Sequence, residues 1–272
     1  MKSTLSDVLD SLNLEQVNAP FSQSSRSFVG RQFDGPAHHI LGAHIAAQAL
    51  MAGARTAGGR APHSMHVYFL RPGDGRYPVD FEVTPLQDGR TFAARRVTGR
   101  QNGAVLMEAT TSFSAAVEDL EYQPPLPEAP DPDSLPPILP QGHFVSLDWF
   151  ERRNVPTAEG AATTRMWLRA MGEVPDDPVL ADCLAAYLSA VTLIEPTLVP
   201  RWKSSGAPPN SAMRGHSVWF HGAPTMSDWL FYDESSPSST GGRSLATGTM
   251  FNRTGELVCT ATQEIYFPPT RG

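Results

Sequence analysis

Behind the hydroxyl of Thr4, apolar residues fall at Leu5, Val8, Leu9 and Leu12. This i, i+3, i+4, i+7 stripe predicts a short amphipathic helix over residues 4–14, placed as a lid or a packing helix. Residues 28–33 open a first structural half. From 42 to 56 the chain carries mostly small side chains, Gly42-Ala43-His44-Ile45-Ala46-Ala47 onward, which predicts a helix that a sheet can wrap closely. Strict alternation then takes over in residues 64–70, 79–86, 91–101 and 104–115. Turn signals separate these strands at Pro72-Gly73-Asp74-Gly75, Asp88-Gly89 and Asn102-Gly103.

Residues 117–142 carry Pro124-Pro125, Pro127, Pro130, Pro132, Pro136-Pro137 and Pro140, which cannot sustain a ladder and read as an extended linker. After it the plan repeats. Strands are predicted at 147–150 and 164–171, then a helix over 178–193 with Val179, Cys183, Tyr187 and Val191 as a core-facing row. Strands at 217–221, 229–233, 244–252 and 257–267 follow, with Ser/Pro/Gly-rich loops at 206–210 and 235–242. Met65-His66-Val67-Tyr68-Phe69 is answered by Ser217-Val218-Trp219-Phe220-His221, Gly89-Arg90-Thr91-Phe92-Ala93 by Gly242-Arg243-Ser244-Leu245-Ala246, and 102–113 by 254–267. The chain reads as a tandem duplication whose function sits where the halves meet. The expected units are 1–116, a linker at 117–142, and 143–272.

With 272 residues and a net charge of -7, the chain lacks the basic stripe of a nucleic-acid groove. Local pairs, Arg95-Arg96 and Arg152-Arg153, leave room for a small phosphorylated ligand. No membrane-length apolar run and no signal-like N-terminus are recognised, so a cytoplasmic protein is expected. Cys183 and Cys259 fall in apolar patterns and read as buried thiols; no spacing suggests a metal site, and no cofactor is expected.

His63-Ser64-Met65-His66-Val67-Tyr68-Phe69-Leu70-Arg71-Pro72-Gly73-Asp74, Asp88-Gly89-Arg90-Thr91-Phe92-Ala93-Ala94-Arg95-Arg96-Val97 and Gln101-Asn102-Gly103, with Trp219-Phe220-His221 and Thr262-Gln263-Glu264, closely resemble the acyl-CoA thioesterase II family. The likeness runs through nearly the whole chain. It implies an α+β double hotdog, two tandem repeats each with a central helix wrapped by antiparallel sheet, and hydrolysis of acyl-CoA to CoA and a fatty acid. It also implies further association into a homo-oligomer.

The family activates a water with an aspartate on the second helix, a Ser/Thr before the second aromatic strand and a glutamine on the last strand. A carboxylate can deprotonate water, while hydroxyl and amide groups hold it. Carried onto this chain, the glutamine is Gln263, the aspartate position is Ala190 and the hydroxyl position is Met213. Two of the three groups are thus replaced, and hydrolysis is expected to be impaired. The alternative is a non-catalytic acyl-CoA-binding or regulatory protein.

Asp182 and Glu195 flank Ala190 but stand about 80° and 140° from it around a helix. Ser211 could supply the hydroxyl if the 206–210 loop shifts register. His44 stands where the family carries a glutamine; with the N–H groups at Gly42 and Ala43 it could bind water, act as base or be structural. Arg71 shapes a turn or meets a CoA phosphate. His63, His66, His216 and His221 read as strand-end packing, and Trp149, Trp219 and Trp229 as core or acyl-channel residues. Asp34 and His39 have the spacing of a hydratase pair, without that family's surrounding residues.

Overall fold

The computed structural model describes residues 3–17, 25–34, 38–138, 148–205 and 209–269. Helix α1 (Leu5–Leu12) begins at a reciprocal cap in which Thr4 Oγ accepts from Asp7 N and Asp7 Oδ2 accepts from Thr4 N. Strands β1 (Glu15–Val17) and β2 (Arg26–Gly30) precede α2 (Gly42–Ala54). Then come β3 (Ala61–Phe69), β4 (Val79–Asp88), β5 (Phe92–Gln101) and β6 (Ala104–Ser114). The second half holds β7 (Phe150–Val155), β8 (Thr163–Ala170), α3 (Pro178–Thr192), α4 (Glu195–Ser205), β9 (Ala212–Phe220), β10 (Leu230–Thr240), β11 (Arg243–Asn252) and β12 (Leu257–Tyr266).

All twelve strands form one antiparallel sheet in the order β1-β2-β4-β5-β6-β3-β9-β12-β11-β10-β8-β7. Read inward from either end, the two halves have the same order: outer pair, hairpin, inner strand. This is the double hotdog, with α2 and α3 packed against each other inside the sheet. Their small residues permit the close approach: Ala43, Ala46, Ala47, Ala49 and Ala52 on α2, and Ala185, Ala186 and Ala190 on α3, are fully buried. Val67-Tyr68-Phe69 answers Val218-Trp219-Phe220, which makes His66 the counterpart of Ser217. These two residues lie directly opposite each other where β3 meets β9, and His66 Nδ1 is 3.0 Å from Ser217 Oγ. The pseudo-dyad of the duplication therefore passes between them.

Several sequence expectations are corrected. The strand placed at 147–150 is β7 at Phe150–Val155, with residue 147 outside the described region. The loop placed at 235–242 is largely strand, because β10 runs through a bulge after Ser235 to pair with β11. Helix α4 and the short β1 carried no recognisable pattern; α4 contains Pro200 and begins one turn after α3 ends. The expectation of no membrane-length apolar segment fails by composition for residues 178–201, but these are mostly buried inside the sheet as α3 and α4. The linker, described to 138, is a strap on the second half. Trp167 Nε1 donates to Pro130 O at 3.0 Å, and Leu126, Ala129 and Leu135 cover a satellite core of Trp167, Trp229, Phe231 and Phe251.

Candidate functional site

The first four N–H groups of a helix have no acceptor inside it. At α2 the N-cap is Leu41, whose side chain accepts nothing, so the start of this helix is uncapped. Gly42 is pressed against the join between the halves. A Cβ added there would stand 3.2 Å from Phe69 Cε1 on β3 and 3.5 Å from Met213 Sδ on β9. Glycine thus allows the helix start to reach the strand that carries Met213. At α3, the repeat counterpart, Asp177 Oδ1 accepts from Val179 N at 2.9 Å and from Leu180 N at 3.2 Å. That helix start is sealed by its own carboxylate. Among the described residues, the duplication thus leaves the start of α2, unlike that of α3, without a side-chain cap.

A buried chain of polar groups ties α3 to β9 and β12. His216 Nδ1 is 3.0 Å from Gln263 Oε1, and His216 Nε2 is 3.2 Å from Ser189 Oγ. His216 and Gln263 are each 1% exposed and directly opposite in the β9–β12 register. Tyr232 donates its hydroxyl to the carbonyl of Ser189 at 3.2 Å, which fixes this turn of α3 over the sheet. Ala190, the next residue, is 0% exposed and brings only a methyl group. Two links thus cross between elements here: Gly42 of α2 to Met213 of β9, and Ser189 of α3 through His216 to Gln263. The repeat position of Gln263 is Thr111, opposite Met65 where the second half has His216, so the amide and imidazole occur once.

His44 is buried in the first turn of α2. Its Nε2–H donates to Arg31 O at 3.2 Å, and Gln48, one turn later, donates to the same carbonyl at 2.9 Å. This leaves Nδ1 as a lone pair, and among the described residues nothing donates to it. The ring lies between Phe33, tilted against it at 4.6 Å, and Tyr187 of α3, edge-on at 5.8 Å. Burial pulls the His44 pKa down to about 4, only partly offset by the Arg31 carbonyl, so the imidazole is neutral at pH 7.

Other candidates fall away from the join. Asp182 lies eight residues before Ala190 on α3, about 12 Å along the axis. Burial, then the charge of Asp177, raises it to about 7. Glu195 starts α4, not α3, and is held by both guanidinium nitrogens of Arg152. Ser211 precedes β9, while Met213 keeps the position beside Gly42. Arg71 donates to Val105 O at 2.9 Å, tying the β3 end to the β5–β6 hairpin as the turn reading requires. Asp34 pairs with His38 at 2.6 Å, while His39 bridges Asp74 through its backbone; the hydratase spacing does not become a pair.

Arg95 is spent on Thr56, Gln87, Asp88 and Ala94, and Arg153 on Glu151 and Leu135, so neither of these two guanidinium groups is open to an anion. His63, His66 and His221 pack at strand surfaces, beside Phe92, Trp219 and Thr260. His216 does not belong with them. Its signal was the inward parity it shares with Gln263, which is visible only once β9 and β12 are in register. Trp149 and Trp229 are core residues, whereas Trp219 lies on the outer face.

Residues 32–114 match the acyl-CoA thioesterase N-terminal domain and residues 142–266 the acyl-CoA thioesterase family. The chain is 30% identical to acyl-CoA thioesterase 2 of Haemophilus influenzae, over 97% of this chain and 98% of that one. It is 29% identical to human acyl-coenzyme A thioesterase 8, over 93% of this chain and 86% of that one. Among solved structures, the tesB protein of Mycobacterium avium subspecies paratuberculosis is 57% identical with a TM-score of 0.87, covering 98% of this chain and 100% of that one. Acyl-CoA thioesterase II TesB2 of Mycobacterium marinum is 33% identical with a TM-score of 0.82, covering 97% and 99%.

Proposed function

Because the chain belongs to the acyl-CoA thioesterase family, whose reaction releases CoA and a fatty acid, we propose that the thioester binds at the join of Gly42, Met213, Ala190 and Gln263. The supporting observation is the uncapped start of α2 against β9, set beside its sealed counterpart at α3. In this reading the N–H groups of Gly42 and Ala43 receive the carbonyl oxygen and stabilise the charge that grows on it. Gln263 holds the attacking water. Ala190 offers no carboxylate, and the proton acceptor left near the α2 start is the bare Nδ1 of His44. A base with a pKa of about 4 is weak at neutral pH, so slow hydrolysis follows.

A second reading, acyl-CoA binding without turnover, is favoured by Ala190 and Met213. Release of CoA across an acyl-chain series separates the two. Slow but saturable release, reduced about 10²-fold in Gln263→Ala, is expected for the hydrolase. Tight binding with no release above the uncatalysed rate would establish the binding protein instead.

Association of copies is supported by the outer face of the join, where the repeat counterparts Tyr68 and Trp219 are 62% and 38% exposed on either side of the pseudo-dyad. Exposed aromatic pairs of this kind suit a protein interface. Light scattering is expected to give a multiple of the chain mass, and a Tyr68→Lys, Trp219→Lys variant the single-chain mass. Unchanged mass in the variant would place the interface elsewhere. Buried free thiols at Cys183 and Cys259 fit a reducing compartment, which supports a cytoplasmic location.

A further inference from the structure

We propose that His216 is a positioning residue that fixes the polarity of Gln263, so that the carboxamide presents N–H donors, not its oxygen, to the thioester site. The inference rests on the reading of the join as that site, and it deepens it. Gln263 Oε1 can only accept. The 3.0 Å contact therefore requires the proton of the neutral ring on His216 Nδ1, which leaves Nε2 bare. Ser189 completes the arrangement. Its hydroxyl lies 3.2 Å from Nε2 and 3.0 Å from Ala186 O, and its one proton is shared between these two acceptors.

The Gln263 contact sets the direction at the ring: His216 donates from Nδ1 to Gln263 Oε1 and turns its bare Nε2 to Ser189. Burial pulls the His216 pKa down to about 4, so the ring stays neutral at working pH. A glutamine without this partner could turn its amide over at little cost, because oxygen and nitrogen occupy nearly the same volume. With the oxygen held, the amide N–H groups are the ones left over, and among the described residues no acceptor takes them. They can donate to a water oxygen or to the thioester oxygen. They cannot remove a proton, so the acceptor in any hydrolysis must be a different group.

The test has two arms. In the first, the protein is labelled with ¹⁵N-histidine and the His216 signals are identified by their loss in His216→Asn. A protonated Nδ1 with a bare Nε2 is expected, shifting toward the other tautomer in Gln263→Ala. A protonated Nε2 in the native protein would overturn the proposal, whatever the activity.

In the second arm, CoA release is followed. His216→Leu is expected to lower kcat about 10–100-fold with KM little changed, as loss of a supporting hydrogen bond does. His216→Asn, which restores an N–H near Nδ1, should recover most of it. Adding His216→Leu to Gln263→Ala should cost nothing further, because the two act as one unit. Equal losses in both backgrounds, or no recovery with Asn, would reduce His216 to packing. If the native protein releases no CoA while the Nδ1–H tautomer is found, the hydrolase reading fails and the positioning of Gln263 stands.

Discussion

Ala190→Asp is expected to raise the rate of CoA release by about two to four orders of magnitude, the usual contribution of a positioned general base. The methyl group it replaces is fully buried in α3, one residue beyond the Ser189 that bonds to His216. Burial raises the pKa of a carboxylate. A new aspartate at this place would therefore titrate nearer neutrality than an exposed one, which suits a base working at neutral pH. Ala190→Asn matches it in size and polarity but cannot accept the proton, and should leave the rate where it was. Met213→Thr added to Ala190→Asp restores a hydroxyl beside Gly42 and should add to the gain. An aspartate variant that folds and binds acyl-CoA but gains nothing would show that water does not approach from this side of α3.

The largest expected loss of stability comes from Arg152→Met, at about 3–5 kcal/mol in alkaline solution, the cost of leaving a buried charge unpaired. Arg152 sits between two acids. It grips Glu195 with both outer nitrogens, and its charge also reaches Glu234, which is 0% exposed and receives Thr192 Oγ at 2.6 Å and the hydroxyl of Thr164. Burial first, then the charge of Glu195, pushes the Glu234 pKa up from 4.5 to about 8, against the opposing pull of the two hydroxyls and Arg152.

Between pH 4.5 and 8 the folded protein holds a proton that the unfolded chain has released, so the contribution of Glu234 is full below that window and falls as pH rises through it. Removing Arg152 exposes each ionised acid to the other, so its cost should be greatest above pH 8 and should shrink by pH 5. Urea unfolding at pH 5 and pH 9 measures the difference. Equal losses at the two pH values would mean that Arg152 stabilises by packing alone.

Much of this architecture is local and could be read along the chain. Alternation in 79–86 and 104–115 encodes strands because successive side chains face opposite sides of a sheet, and Asn102-Gly103 encodes the hairpin between β5 and β6, with both residues at positive φ. The small-residue helices were legible for the same reason, since they can pack only inside something. Where the reading failed, the cause was non-local. Residues 235–240 are rich in serine and resemble a loop, yet they become strand because β11 lies alongside and takes their hydrogen bonds. Helix α4, with Pro200 in its interior, is set by its packing on β8, β10 and β11.

The site divides the same way. Sequence by itself determined the duplication and the family, because these are matters of which residue stands at which place in a repeat. Only the tertiary structure decided that one helix start is open while its counterpart is closed by Asp177. It alone set His216 against Gln263 and Ser189, and Arg152 between Glu195 and Glu234. Those pairings depend on strand register and on the depth at which each group is buried, which are fixed when distant segments pack together and leave no trace in local spacing.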